Sequence, residues 1–233
     1  MHVILVPGFW LDASAWDAVL PPLRAAGHEL EPITRRGLES RDTDRSGITL
    51  DDQVAAVVER IDAVPTDTEV ALVGHSGGGP VAYLALDKRP ERVDRIVYVD
   101  SFPGPEGGSV NDELPVVDGE VPLPDWSIWD PPTVRDMTAE IRADMERRAI
   151  PEPAAVPAGA FHYTDERRHR VPTTMITCEM TPDEIAGILQ ARPSWASELS
   201  SIEALSVVGL ETGHWPMFTK PSELGALLVD ALH

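Results

Sequence analysis

Gly74-His75-Ser76-Gly77-Gly78 follows directly on the apolar run Val70-Ala71-Leu72-Val73. A G-x-S-x-G pentapeptide at the end of a short apolar run marks a sharp strand-to-helix turn, with the serine hydroxyl at the carboxyl edge of a sheet. Small flanking residues keep side chains clear of the bend and of an arriving substrate. The pentapeptide thus constrains architecture and chemistry together. A strand must enter, a helix must leave, and Ser76 is the candidate nucleophile.

The rest of the chain fits a sheet that such a turn could serve. Short β-rich runs alternate with helical patterns, the signature of a mostly parallel sheet with helices on both faces. Strands are expected at Val3 to Val6, Glu29 to Thr34, Val70 to Val73, Val93 to Val99, Thr173 to Cys178 and Leu205 to Gly209. Helices are expected over Ser14 to Ala26, with Pro21-Pro22 as a break, then from Thr49 as cap to Val64. Further helices are expected over Gly78 to Lys88, Pro182 to Ala191 and Ser222 to Leu232. From Phe102 to about Arg170 the periodicity fails; Pro, Gly and acidic residues dominate, with one helix near Thr133 to Arg148. That stretch is too long for a plain loop in a compact domain. The expected division is a core of residues 1–102 and 171–233 with a small lid, 103–170, inserted between them.

Charge and cysteine content narrow the function classes. With 19 basic and 39 acidic residues the formal charge is −20, which argues against nucleic acid or an anionic membrane as partner. Cys178 is the only cysteine, so no intrachain disulfide forms. No apolar stretch approaches the roughly 20 residues of a membrane span, and the first strand begins almost at once without a leader pattern. The expectation is a cytoplasmic protein acting on a small molecule, with a homodimer left open.

A serine hydroxyl needs a base. His214, in Thr212-Gly213-His214-Trp215-Pro216 just after the last expected strand, stands where loops of open α/β sheets carry their sites. His75 adjoins the serine, but neighbours on a tight bend point apart, so packing is its expected role. His162 and His169 lie in the lid without metal-ligand spacing, and no metal or cofactor is expected. An oxyanion hole needs two backbone donors. The amide of Gly77 is expected to supply one, and the amide of Phe9, in the Pro7-Gly8-Phe9-Trp10 turn after the first strand, the other, although that turn by itself would also suit a simple strand end.

These pieces resemble the α/β-hydrolase superfamily, in the branch of small-lid esterases that includes plant methyl esterases and hydroxynitrile lyases. The resemblance rests on Leu5-Val6-Pro7-Gly8-Phe9-Trp10 with Trp16, Ala26-Gly27-His28, Gly74-His75-Ser76-Gly77-Gly78 and Thr212-Gly213-His214-Trp215-Pro216-Met217. It implies the α/β-hydrolase fold and the serine–histidine pair. The chain departs from the pattern twice. Relatives carry His-Gly where Pro7-Gly8 stands, and they place the triad acid after the penultimate strand, where counting arrives at Thr181. Threonine cannot hold the charge that orients an imidazolium. Asp100, at the end of the strand after the nucleophile strand, occupies the alternative acid position of some haloalkane dehalogenases in this superfamily, and it also suits a strand-ending turn. Glu179 and Asp183 flank the vacant position as alternative acids, and a dyad without acid completes the set.

Aromatic residues suggest an apolar pocket, with Trp126, Trp129, Phe161 and Tyr163 from the lid and Phe9, Trp10, Trp215, Met217 and Phe218 from loops. The expected activity is hydrolysis of a small or medium apolar carboxylic ester, thioester or lactone through an acyl-serine. Two alternatives stand. One is a cofactor-free lyase of the hydroxynitrile type, for which both lysines, Lys88 and Lys220, fall outside the expected lid. The other is a non-catalytic small-molecule sensor on a hydrolase scaffold. If Asp100 completes the triad, Asp100→Asn lowers turnover by about 10⁴-fold while the protein stays folded. Near-wild-type turnover in that variant, with loss in Asp183→Asn, contradicts the assignment.

Overall fold

A computed structural model describes residues 1–233. Eight strands run in chain order: β1 (His2–Val6), β2 (Glu29–Pro32), β3 (Val70–His75), β4 (Arg95–Val99), β5 (Glu120–Val121), β6 (Glu152–Pro153), β7 (Thr173–Thr177) and β8 (Leu205–Gly209). Six of them form a parallel sheet in the order β2-β1-β3-β4-β7-β8; β5 and β6 pair separately as a short antiparallel ribbon. The helices are α1 (Leu20–Ala25), α2 (Leu50–Ala63), α3 (Gly78–Lys88), α4 (Ala139–Arg148), α5 (Pro182–Ala191), α6 (Pro216–Thr219) and α7 (Pro221–Ala231). None is long and apolar enough to cross a membrane.

Successive strand side chains point to opposite faces. Every residue of β3 is buried, and so is all of β1 and β4 beyond the first residue, so the central sheet is covered on both sides. Such strands read as continuous apolar runs rather than alternating ones. Helix α1 packs on α7, and α2 on α3. The register brings the strand ends together: Val6 lies opposite Gly74, His75 opposite Val99, and Val99 opposite Ile176. The loops leaving β1, β3, β4 and β7 therefore open along one edge.

Two local expectations need correction. Pro21-Pro22 does not break a helix. The pair sits in the first turn of α1, where a missing N–H costs nothing, and a separate 3-10 turn at Ala13–Trp16 precedes it. The helix expected from Thr133 begins at Ala139, because the Thr138 hydroxyl accepts the Ile141 N–H at 3.3 Å and fixes the start there. Residues 133–136 are turns, and they are used at the site. The Thr49 cap is present, as one half of a capping box with Asp52.

The turn after β1 is tied to the ribbon by a buried ion pair that sequence patterning does not reveal. The fully buried Arg35 guanidinium pairs with the fully buried Glu152 carboxylate of β6. Arg35 also donates to the carbonyls of Pro7 and Gly8 at 3.0 and 2.8 Å and to Gln53 Oε1 at 2.7 Å. Glu152 Oε1 accepts the Trp10 backbone N–H at 3.1 Å, and Trp10 Nε1 donates to the Val121 carbonyl at 3.0 Å. Removing one member strands a buried charge. Glu152→Gln is expected to destabilise the fold by about 3 kcal/mol, measured by urea unfolding. An unchanged midpoint contradicts this account of the loop.

Candidate active site

The site begins where β3 gives way to α3. Ser76 has φ +48°, in the left-handed region that a serine adopts only under constraint. The constraint is visible on both sides of it. Its N–H donates to the Val99 carbonyl at 3.2 Å, and its own carbonyl accepts from Gly79 N at 2.9 Å and Ser101 Oγ at 2.7 Å. A Cβ on Gly78 would lie 2.4 Å from the Pro7 carbonyl oxygen, so only glycine lets α3 start this close to the β1 turn. Trp10 and Asp100 also have positive φ, +64° and +45°. Three of the six such non-glycine residues thus sit just beyond β1, β3 and β4, and strained backbone of this kind gathers at functional sites.

One imidazole joins the strand ends. His214 lies in the loop between β8 and α6. Its Nε2 is 2.7 Å from Ser76 Oγ and its Nδ1 is 2.6 Å from Asp100 Oδ2. The Asp100 carboxylate is fixed in turn, because Oδ1 accepts the backbone N–H groups of Cys178 at 2.8 Å and Glu179 at 3.2 Å. A second carboxylate reaches the same ring nitrogen, with Glu179 Oε1 3.2 Å from His214 Nδ1. The Glu179 Oε2 accepts from Thr133 Oγ1 at 3.2 Å, and the Thr133 carbonyl accepts the His214 backbone N–H at 2.8 Å. His75 braces the loop from beneath. It is fully buried, and its Nε2 donates to the His214 carbonyl at 2.7 Å.

Electrostatics separates the two histidines. Burial, and then the proximity of His214, push His75 down to about 3, so it stays neutral and structural. Burial also opposes charge on His214, but the hydrogen bonds to Asp100 and Glu179 outweigh it and raise the imidazole to about 9. Asp100 is held below the usual carboxylate range. Burial works against ionisation there, and the His214 contact and the two amides overcome it. Burial pushes the Cys178 thiol well up, so it offers no thiolate.

The residues around the vacant acid position have other work. The Thr181 hydroxyl caps α5 in a capping box with Glu184. Asp183 is exposed on the first turn of that helix, and neither a hydrogen bond nor an ion pair joins it to His214.

A cavity of about 450 Å³ opens over Ser76. Phe9, Trp10, Trp129, Phe161 and Met180 contribute apolar wall, and Ser76, Gly77, Asp100, Glu179 and His214 its polar floor. Trp126 and Trp215, expected as pocket walls, stand behind it. Trp215 is buried and packs edge-to-face on both Trp126 and Trp129, at 5.5 and 5.6 Å between ring centres. They stiffen the wall without lining it. Tyr163 likewise packs on Tyr83, and Phe218 lies under Arg148.

The backbone N–H groups of Phe9 and Gly77 donate to no protein acceptor, whereas that of Trp10 is taken by Glu152. Phe9 and Gly77 both line the cavity with Ser76. Asp100, Glu179 and His214 bring ligand-type atoms within 4.8 Å of one another, but those atoms are committed to hydrogen bonds among themselves, to amides and to Thr133.

Residues 3–227 match the alpha/beta hydrolase family, and the chain belongs to that family. Among curated relatives, salicylic acid-binding protein 2 of Nicotiana tabacum is 26% identical over 100% of this chain and 97% of its own length. Methylesterase 8 of Arabidopsis thaliana is 36% identical, over 43% of this chain and 38% of that protein, so this closer match spans well under half of either. Among solved structures, an extracellular alpha/beta-hydrolase from a Paenibacillus species superimposes with a TM-score of 0.75. It is 24% identical and covers 99% of this chain and 98% of that one. It shares the fold.

The raised His214 value has a direct consequence. The neutral, proton-accepting ring becomes the major form only above its folded value, so a step that uses it gains rate as pH rises toward that value and levels off beyond it. His214 is expected to titrate near pH 9 rather than near 6.5, read by NMR of its ring protons, and at lower pH in Asp100→Asn. A wild-type titration at or below 6.5 contradicts the two-carboxylate arrangement.

Proposed function

We propose that the protein is a serine-dependent carboxylic ester hydrolase acting on small or medium apolar esters, thioesters or lactones. The reading is carried by one observation: the unbroken hydrogen-bond chain Asp100–His214–Ser76 on the floor of a cavity bordered by two unpaired N–H groups. The names of its relatives support it, several being methylesterases and one a polyneuridine aldehyde esterase of Rauvolfia serpentina.

In this scheme His214 Nε2 takes the proton of Ser76 as Oγ attacks the acyl carbon. The N–H groups of Phe9 and Gly77 receive the developing oxyanion. Asp100 stabilises the imidazolium that forms, and Glu179 adds to its field. His214 then protonates the leaving alkoxide or thiolate, which departs as the tetrahedral intermediate collapses. Water, activated by the same ring, attacks the acyl-serine and releases the acid. The scheme uses one chain and protein groups alone, in a cytoplasmic setting. Residues 103–170 act as the lid, supplying Trp129 and Phe161 to the cavity and limiting water access.

Two measurements test this proposal. A fluorophosphonate probe is expected to label Ser76 and leave Ser76→Ala unmodified. A series of p-nitrophenyl esters of increasing acyl length is expected to be turned over by the wild type and not by that variant. Wild type and variant equally inert toward both would overturn the reading in favour of a sensor.

A further inference from the structure

Glu179 is more than a second contact for the imidazole. Its side chain keeps 30% of its exposure and lines the cavity, whereas the Asp100 carboxylate beside it is 8% exposed and screened by the ring and two amides. Thr133 Oγ1 donates to one Glu179 oxygen at 3.2 Å, which holds the carboxylate at the cavity wall. No lysine or arginine lines this cavity. The buried Arg35 guanidinium lies against the Phe9 ring, 5.4 Å from its centre, and is paired with Glu152. When His214 is neutral, as it must be to accept a proton, the cavity holds two carboxylates and no cation.

We propose that Glu179 is a specificity-determining residue that selects substrates by charge. It favours esters carrying a cationic or hydrogen-bond-donating group within reach of its carboxylate, and it disfavours esters whose acyl or alcohol part is anionic. The chemical class is a small apolar ester with an ammonium or neutral donor substituent. A fixed charge several ångströms from a bound substituent, in a partly wet cavity, is worth about one order of magnitude in relative kcat/KM. The same charge repels the carboxylate product, so release of the acid is assisted by the residue that steadies the base. This inference rests on the ester-hydrolase reading, and its test is arranged so that the two can fail separately.

The test compares p-nitrophenyl 4-(trimethylammonio)butyrate, its neutral isostere p-nitrophenyl 5,5-dimethylhexanoate, and anionic mono-p-nitrophenyl glutarate, at one pH and ionic strength. The quantity read is the ratio of kcat/KM between cationic and anionic esters within each protein, which cancels any general change in His214. The wild type is expected to prefer the cation by about tenfold or more over the anion. Glu179→Gln is expected to lose most of that preference, while Asp183→Asn, which removes an equal charge away from the cavity, keeps it. An unchanged ratio in Glu179→Gln, or equal loss in both variants, overturns the proposal. Should Glu179→Gln not fold, added salt must still weaken the wild-type preference, and indifference to salt counts against the proposal. If no ester is hydrolysed, the hydrolase reading fails by itself. Calorimetric binding of choline against 3,3-dimethylbutan-1-ol then decides the charge claim, equal affinities overturning it.

Discussion

The His214 imidazole is held at both ring nitrogens, by Ser76 on one side and by Asp100 and Glu179 on the other. Much of the surrounding structure serves to keep that ring in place. The backbone of its own loop is fastened by two hydrogen bonds, from His214 N to the Thr133 carbonyl and from His75 Nε2 to the His214 carbonyl. Asp100 is fastened by two amides at the end of β7, and Ser76 by the helix it starts and by Ser101. A ring fixed in this way needs little reorganisation when charge forms on it, which is how preorganised polar sites lower barriers.

The parallel sheet makes the arrangement possible. Because β1, β3, β4 and β7 are in register at their carboxyl ends, one loop from each reaches the same small volume. The left-handed residues Trp10, Ser76 and Asp100 then turn the chain sharply enough to aim side chains and amides inward. Such conformations cost of order 1–3 kcal/mol each, and the buried core of the sheet offsets that cost. The Arg35–Glu152 pair extends the same logic to the β1 turn. By accepting the Trp10 N–H and pairing with Arg35, which holds the Pro7 and Gly8 carbonyls, Glu152 couples the ribbon between β4 and β7 to the edge of the site.

Much of this was legible in the sequence because it depends on short-range rules. The pentapeptide around Ser76 announces its turn, the apolar runs announce buried parallel strands, and Asp100 and His214 stand at strand ends by simple counting. Thr181 is legible both as unable to serve as an acid and, with Glu184 three residues on, as the capping-box start of α5. What sequence reading missed is long-range. Arg35 and Glu152 are 117 residues apart and meet only through the fold. The stacking of Trp126 and Trp129 on Trp215 depends on how residues 103–170 fold back, so an aromatic count could not separate wall from backing. The start of α4 was misplaced because the turns at 133–136 carry helix-compatible residues whose backbone is claimed by the site instead.

In the proposed reaction Ser76, activated by His214, forms a covalent acyl intermediate. Rapid-quench mass spectrometry with p-nitrophenyl acetate tests it most directly. A burst of p-nitrophenol approaching one equivalent per chain is expected, matched by an acetyl group on the peptide bearing Ser76. Steady turnover with neither burst nor adduct, persisting in Ser76→Ala, would contradict it.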